Sequence, residues 1–301
     1  MKKIGDLVKR YGVKNVVLRA FNDVLPVNLI FPSQQLRRLN WQEKVKKKLK
    51  KHVVISDSIK SEEECDIIWW LWFQGLDNAP AIVKKCRESV DKYAKRSGKR
   101  VIELTSQNLF EYIEVPNELY VKYKSGSLPL ALFSDFCRIS LLSDYGGLWI
   151  DSTVLITGEI EDEMLNQDIF MFQASPLDYS VTKISNWMLY SKYPGHPFIS
   201  SIRDTLISFY NKNNTIPDYF LFHLLVSCLI DDNRINQSFY NMDYYTNTYP
   251  HLLGRVLSEP YDPLKFENIL RKTSIHKLSY KNLDNVAEDS FYNAILGLDF
   301  S

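Results

Sequence analysis

Apolar and polar positions switch between two periods through the middle of this chain. Ile67-Ile68-Trp69-Trp70-Leu71-Trp72-Phe73 is a continuous apolar run ended by Gly75, which predicts a buried strand rather than a helix. From Pro80 the spacing becomes helical: Ile82, Val83, Cys86, Val90 and Tyr93 share one face until Ser97-Gly98, so a proline opens this helix and a glycine closes it. Val101-Ile102-Glu103-Leu104 reads as a second strand. Leu132, Phe133, Phe136, Ile139, Ser140 and Leu142 then line a second helix, Gly146-Gly147 stops it, and Leu148-Trp149-Ile150 forms a third strand. Strands alternating with helices predict an α/β fold with a mostly parallel central sheet and crossover helices. The longest apolar run, from Tyr219 to Ile230, falls short of the ~20 residues that cross a bilayer and predicts a buried helix.

Charge divides the chain unevenly. Residues 1–51 hold 14 of the 37 Lys and Arg but 3 of the 36 acids, a surplus of +11, so the remainder carries −10 within a net +1. The sequence predicts two units, a basic helical extension over 1–60 and one catalytic domain over 61–301. A helix capped at Asn40, with Glu43 three residues on, would place Trp41, Val45 and Leu49 on one face and Lys44, Lys46, Lys47, Lys48, Lys50 and Lys51 around the rest. Such a helix either lies on an anionic membrane surface or packs Trp41 and Leu49 onto the domain. No base-reading motif accompanies the charge, so no nucleic-acid partner is expected. No leader-like segment is visible, and Cys65, Cys86, Cys137 and Cys228 stand apart without C-x-x-C spacing; both features suit a cytoplasmic protein.

Three polar residues interrupt the apolar pattern where chemistry is expected. Asp135 and Arg138 are three apart on one helix, which brings an acid and a guanidinium together. Asp151 ends the third strand immediately after the glycine turn, at the sheet edge where open α/β folds bind ligands. No G-x-G-x-x-G or G-x-x-x-x-G-K-[ST] motif is present, so dinucleotide and P-loop chemistry are unsupported.

In Ser134-Asp135-Phe136-Cys137-Arg138, Tyr145-Gly146-Gly147 and Asp151-Ser152-Thr153, the sequence resembles the capsular polysaccharide synthesis protein family. That family is related to D-x-D sugar transferases such as the glucosylating toxins and yeast-type mannosyltransferases. Further resemblance lies at Trp72-Phe73-Gln74-Gly75 with Asp77-Asn78-Ala79-Pro80, Asn186-Trp187, Pro194-Gly195-His196-Pro197-Phe198, Asp218-Tyr219-Phe220 and His276-Lys277-Leu278. Together these span roughly residues 65 to 281.

The resemblance implies a GT-A type, Rossmann-like domain that transfers a hexose from a UDP-sugar to a polyprenyl-diphosphate-linked glycan, with retention of anomeric configuration. The site is then peripheral to the inner face of the cell membrane. It implies that Phe73, Gln74 and Gly75 meet the nucleoside, that Asp135, Arg138 and Asn186 handle the donor sugar, and that Ser134 and Gly147 belong to the same pocket. Asp218 is a further catalytic candidate, placed in the first turn of a helix opened by Pro217. Mn2+ or Mg2+ is expected on Asp151 and Thr153 with His276 as a nitrogen ligand, while Lys277 meets the departing diphosphate. Thr153 stands where the stronger pattern has a second aspartate, so a weak metal site is expected. Two other readings stay open: a binding module of the same fold without activity, and a glycoside hydrolase, for which no carboxylate pair stands out.

Overall fold

The computed structural model describes residues 2–24, 34–176, 178–283 and 286–300; residue 1 and residues 25–33 of the basic extension therefore lie outside the described residues. A five-stranded sheet forms the centre, with strands β1 (Ile67–Leu71), β2 (Arg100–Leu104), β3 (Gly147–Ile150), β5 (Ile169–Gln173) and β6 (Ile184–Ser191) in the order β2-β1-β3-β6-β5. β1 runs parallel to β2 and β3, and β6 runs antiparallel to both β3 and β5. Four strands therefore share one direction and β6 alone is reversed. β6 needs no crossover helix because antiparallel neighbours can be joined by a short connection. A second, two-stranded sheet pairs β4 (Val154–Ile156) with β7 (Ile275–Lys277).

Successive residues of β1 feed opposite faces. Trp69 packs among Phe133, Phe136 and Trp149, and Trp70 packs among Ile82, Val83, Cys86 and Phe291. The first of these helices is Ala81–Ser97, preceded by Pro80 and closed by Gly98 in the left-handed conformation. The second, Leu130–Asp144, begins two residues before the first apolar position that announced it. It stops at Gly146, whose amide reaches the Leu142 carbonyl at 3.1 Å with φ at 72°. Gly147 is fixed by space as well: a Cβ there would sit 2.5 Å from the Ile67 carbonyl oxygen. The glycine pair thus ends the helix and lets β3 approach β1.

The basic helix is longer than its sequence signal, running Gln34–Leu49 and passing through Asn40, which is not its cap. Leu39, Trp41, Val45 and Leu49 are buried in the main core with the helix Leu221–Ile230. Lys46 also points inward, its Nζ 2.8 Å from Asp231 Oδ2. This helix belongs to the body of the protein, so no break in the core falls at the 60/61 boundary. Lys44, Lys47, Lys48, Lys50 and Lys51 remain exposed. Among the described residues no helix is long and apolar enough to cross a membrane.

Candidate active site

The carboxyl edge of β3 delivers Asp151, and the neighbouring helix Leu130–Asp144 lays Asp135 and Arg138 beside it. Far from forming a solvated surface pair, Asp135 and Arg138 are both 5% exposed. The Arg138 guanidinium lies 3.2 Å from Asp135 Oδ1 and 3.1 Å from Asp151 Oδ1, bridging the two carboxylates. Its remaining donors are taken by the Ser134 hydroxyl at 3.1 Å, the Ser134 carbonyl at 3.2 Å and the Asn186 carbonyl. The Trp149 ring lies under it at 5.0 Å from the guanidinium carbon. With no freedom left, Arg138 is a fixed positive charge at the bottom of a cleft.

Both oxygens of Asp151 are engaged in turn. Oδ1 also accepts from Trp149 Nε1 at 2.9 Å, and Oδ2 accepts from Lys277 Nζ at 2.7 Å. The lysine ammonium donates as well to the Thr153 hydroxyl at 2.6 Å. Lys277 arrives from 126 residues away because β7 pairs with β4, matching Val154 with Lys277 and Leu155 with His276. Burial opposes charge on Asp151, but Arg138 and Lys277 outweigh it and hold the carboxyl below its ordinary range. Burial dominates at Asp135 instead and pushes it up to about 7, with Arg138 and the Asn186 amide, 2.7 Å away, only partly offsetting it. Two carboxyls sharing one arginine are thus driven apart, Asp151 ionised and Asp135 poised near neutrality.

Two cavities meet at this cluster. The inner one, of about 340 Å³, is lined by Asp135, Asn186, Trp187, His223, Asn247 and His251, and Arg38 closes it through a 2.6 Å ion pair with Asp178. The outer one, of about 520 Å³, is lined by Trp72, Phe73, Gln74, Ser134, Thr153 and Tyr280. Ala131, Arg138, Asp151, Tyr219 and Lys277 form the wall they share. A ligand spanning both would carry a hydroxyl-rich end on the Asp135–Asn186 side, an aromatic end near Phe73, and an anionic centre between the two cations.

Most of the residues singled out in the sequence reach this cleft, and four do not. Gly75 is a turn residue at φ 78°, outside the cavity walls, and Gly147 spends its missing side chain on β1. Asp218 is buried, but its Oδ1 accepts from the Phe220 amide at 2.9 Å and from Gln42 Nε2 at 3.3 Å, so it ties the loop to the basic helix. The helix expected to open at Pro217 starts instead at Leu221, beyond both Pro217 and Asp218. His276 faces away from its neighbour Lys277, because adjacent strand residues point to opposite sides. Its Nε2 meets Thr157 Oγ1 at 3.0 Å, and burial lowers it to about 4.

The donors at Asp151 do not fit a divalent cation. Both carboxylate oxygens are engaged, the Thr153 hydroxyl is held by an ammonium, and the nitrogen ligand expected of His276 points elsewhere. Among the described residues no group of three or more His, Cys, Asp or Glu is placed to hold a metal ion.

His223 and His251 carry no sequence motif, although His223 left a trace as the one imidazole within the largely apolar stretch 221–230. Burial lowers His223 to about 3 and His251 to about 4, with Arg138 acting further on the former and Lys277 on the latter, so both are neutral imidazoles at neutral pH. Nothing in the local sequence marks Asn247 or Gln42, which reach the cavity from distant segments.

The sequence profile of the family described as Capsular polysaccharide synthesis protein matches residues 20–295. No curated protein matches. Among solved structures, the PaToxG glycosyltransferase is similar at 14% identity over 79% of this chain and 95% of its own, with a TM-score of 0.40.

Proposed function

The chain belongs to the capsular polysaccharide synthesis protein family, and on that premise we propose that it is a glycosyltransferase moving a hexose from a UDP-sugar to a lipid-linked glycan, with retention of configuration. The observation that carries this reading is the Asp135–Arg138–Asp151–Lys277 cluster, its first pair buried and its second half-buried, beside two cavities that meet at it. Glycosyl transfer needs an anion held at the moment it departs and a sugar held by its hydroxyls. The cluster offers two cations for the diphosphate. Asp135 and Asn186 offer an acceptor and an amide to the sugar.

Phe73 and Gln74 give the outer cavity an apolar face with one polar tip, which suits a uracil ring and its imide edge. Retention is supported by the state of the carboxylates around the inner cavity. Asp135, Asp151 and Asp178 are each paired with Arg38, Arg138 or Lys277, so no free carboxylate offers itself as base for the acceptor hydroxyl. The leaving phosphate oxygen then takes that proton on the same face. A lipid-linked acceptor at an anionic membrane is supported by a separate cavity of about 450 Å³, where Trp41, Leu49 and Phe209 lie beside Lys44, Lys48 and Lys51.

The reading is tested by incubating the purified chain with a panel of nucleotide sugars and measuring nucleoside diphosphate release. Turnover with a UDP-sugar that disappears in Asp135→Asn, with the fold retained by circular dichroism, is the expected result. Binding of nucleotide without turnover of any donor would leave a binding module instead.

A further inference from the structure

We propose that Lys277 takes the place of the divalent cation in this active site, so that the nucleoside diphosphate is bound and released by an ammonium instead of by Mn2+ or Mg2+. The inference rests on the nucleotide-sugar reading above and specifies how the diphosphate is held. Its basis is the seat of the side chain. Nζ lies 2.7 Å from Asp151 Oδ2 and 2.6 Å from Thr153 Oγ1, so the ammonium sits on the two side chains of the Asp-x-Thr turn from which a metal would hang.

Three further observations agree. An octahedral cation needs open carboxylate oxygens at close range, but Asp151 Oδ1 is shared by Arg138 Nη1 at 3.1 Å and Trp149 Nε1 at 2.9 Å, and Oδ2 is held by the lysine ammonium at 2.7 Å. Lys277 lines the inner and outer cavities and a third of about 450 Å³ bounded by Ser175, Thr248 and Arg255, so it stands where three spaces converge. An ammonium has three N–H donors, and only two are used within the protein, which leaves one for a phosphate oxygen. The replacement of the second aspartate by Thr153 then has a physical reason. Arg138 and Lys277 already face the carboxyls of Asp135 and Asp151, and a third carboxylate at position 153 would tip the cluster towards negative charge, against a diphosphate.

In the transfer step the anomeric C–O bond breaks and its electron pair remains on the β-phosphate oxygen. The acceptor hydroxyl oxygen supplies the pair for the new C–O bond, and its proton passes to that phosphate oxygen. Lys277 stays protonated throughout. With Arg138 it offsets charge that grows on the diphosphate as the bond lengthens.

Calorimetric titration of the whole chain with UDP, GDP, ADP, CDP and TDP, in EDTA and in Mn2+, tests this. One diphosphate is expected to bind in EDTA with an affinity within about two-fold of that in Mn2+. Lys277→Ala is expected to lose at least about ten-fold in EDTA, and Lys277→Arg to retain most of the binding. Because the alanine variant uncovers Asp151 and Thr153, Mn2+ should strengthen its binding while leaving the parent unchanged. Binding that requires Mn2+ in the parent chain, or an alanine variant with unaltered affinity in EDTA, overturns the proposal and leaves the transferase reading in place. Failure of every diphosphate to bind in both conditions overturns the two together.

Discussion

Asp135→Asn separates the stability of this site from its function. The carboxyl is buried beside Arg138 and displaced from 3.8 to about 7, so the folded chain keeps a proton across a range in which the unfolded chain has already lost it. A folded state that binds more protons loses stability as pH rises. Between pH 5 and pH 8 the difference spans about two pH units of titration, worth roughly 2 to 3 kcal/mol. Asparagine removes the titration while keeping an oxygen for the Asn186 amide, which donates to Oδ1 at 2.7 Å. The variant should therefore gain roughly 2 to 3 kcal/mol on the parent chain between pH 5 and pH 8, or about 4 °C in melting temperature for a chain of this size. Parallel melting curves over that range, read by circular dichroism, supply the difference. Turnover should be lost at every pH if the charged oxygen engages the donor sugar. A constant gap between the two proteins would refute the reasoning, because it would mean that Arg138 keeps Asp135 ionised despite burial.

Gly147→Ala should destabilise the fold by roughly 3 kcal/mol and yield mostly insoluble protein, since φ is 92° and the new Cβ would meet the Ile67 carbonyl at 2.5 Å; soluble expression at the parental melting temperature would contradict this. All five histidines are lowered by burial, His196, His251 and His276 to about 4 and His223 to about 3. The unfolded chain therefore takes up protons first, stability falls as pH drops from about 6.5 to 4, and urea midpoints should decline steeply over that window, outweighing the opposite contribution of Asp135. His276→Gln should change diphosphate affinity less than two-fold, measured calorimetrically, because the imidazole faces Thr157 and not the cleft. Reversing Lys44, Lys47, Lys48, Lys50 and Lys51 to Glu should abolish sedimentation with anionic liposomes at about 1 kcal/mol per cation, with the fold intact because these side chains are exposed; undiminished binding would place any membrane contact elsewhere.

What could be read from the sequence divides along a physical line. β1, β2, β3 and the two long helices among the four between them were legible because each has its own period, and a glycine or proline marks where the period changes. Asp135, Arg138 and Asp151 were legible for the same reason: they are polar interruptions within those local patterns, 17 residues from first to last. The reversed strand β6, the burial of Lys46 and the direction of Asp218 were not, because each depends on a partner far along the chain. Lys46 finds Asp231, Asp218 finds Gln42, and β6 finds both its neighbours. The expected ligand role of His276 lies at this boundary, because its Nε2 meets Thr157 and not the cleft. A strand as short as Ile275–Lys277 carries no signal for which side chain faces the cleft; that is set by its register against β4, where one residue of slip would exchange His276 for Lys277. The pairing of two three-residue strands therefore decides whether an imidazole or an ammonium meets Asp151, and with it how the site manages the charge of its leaving group.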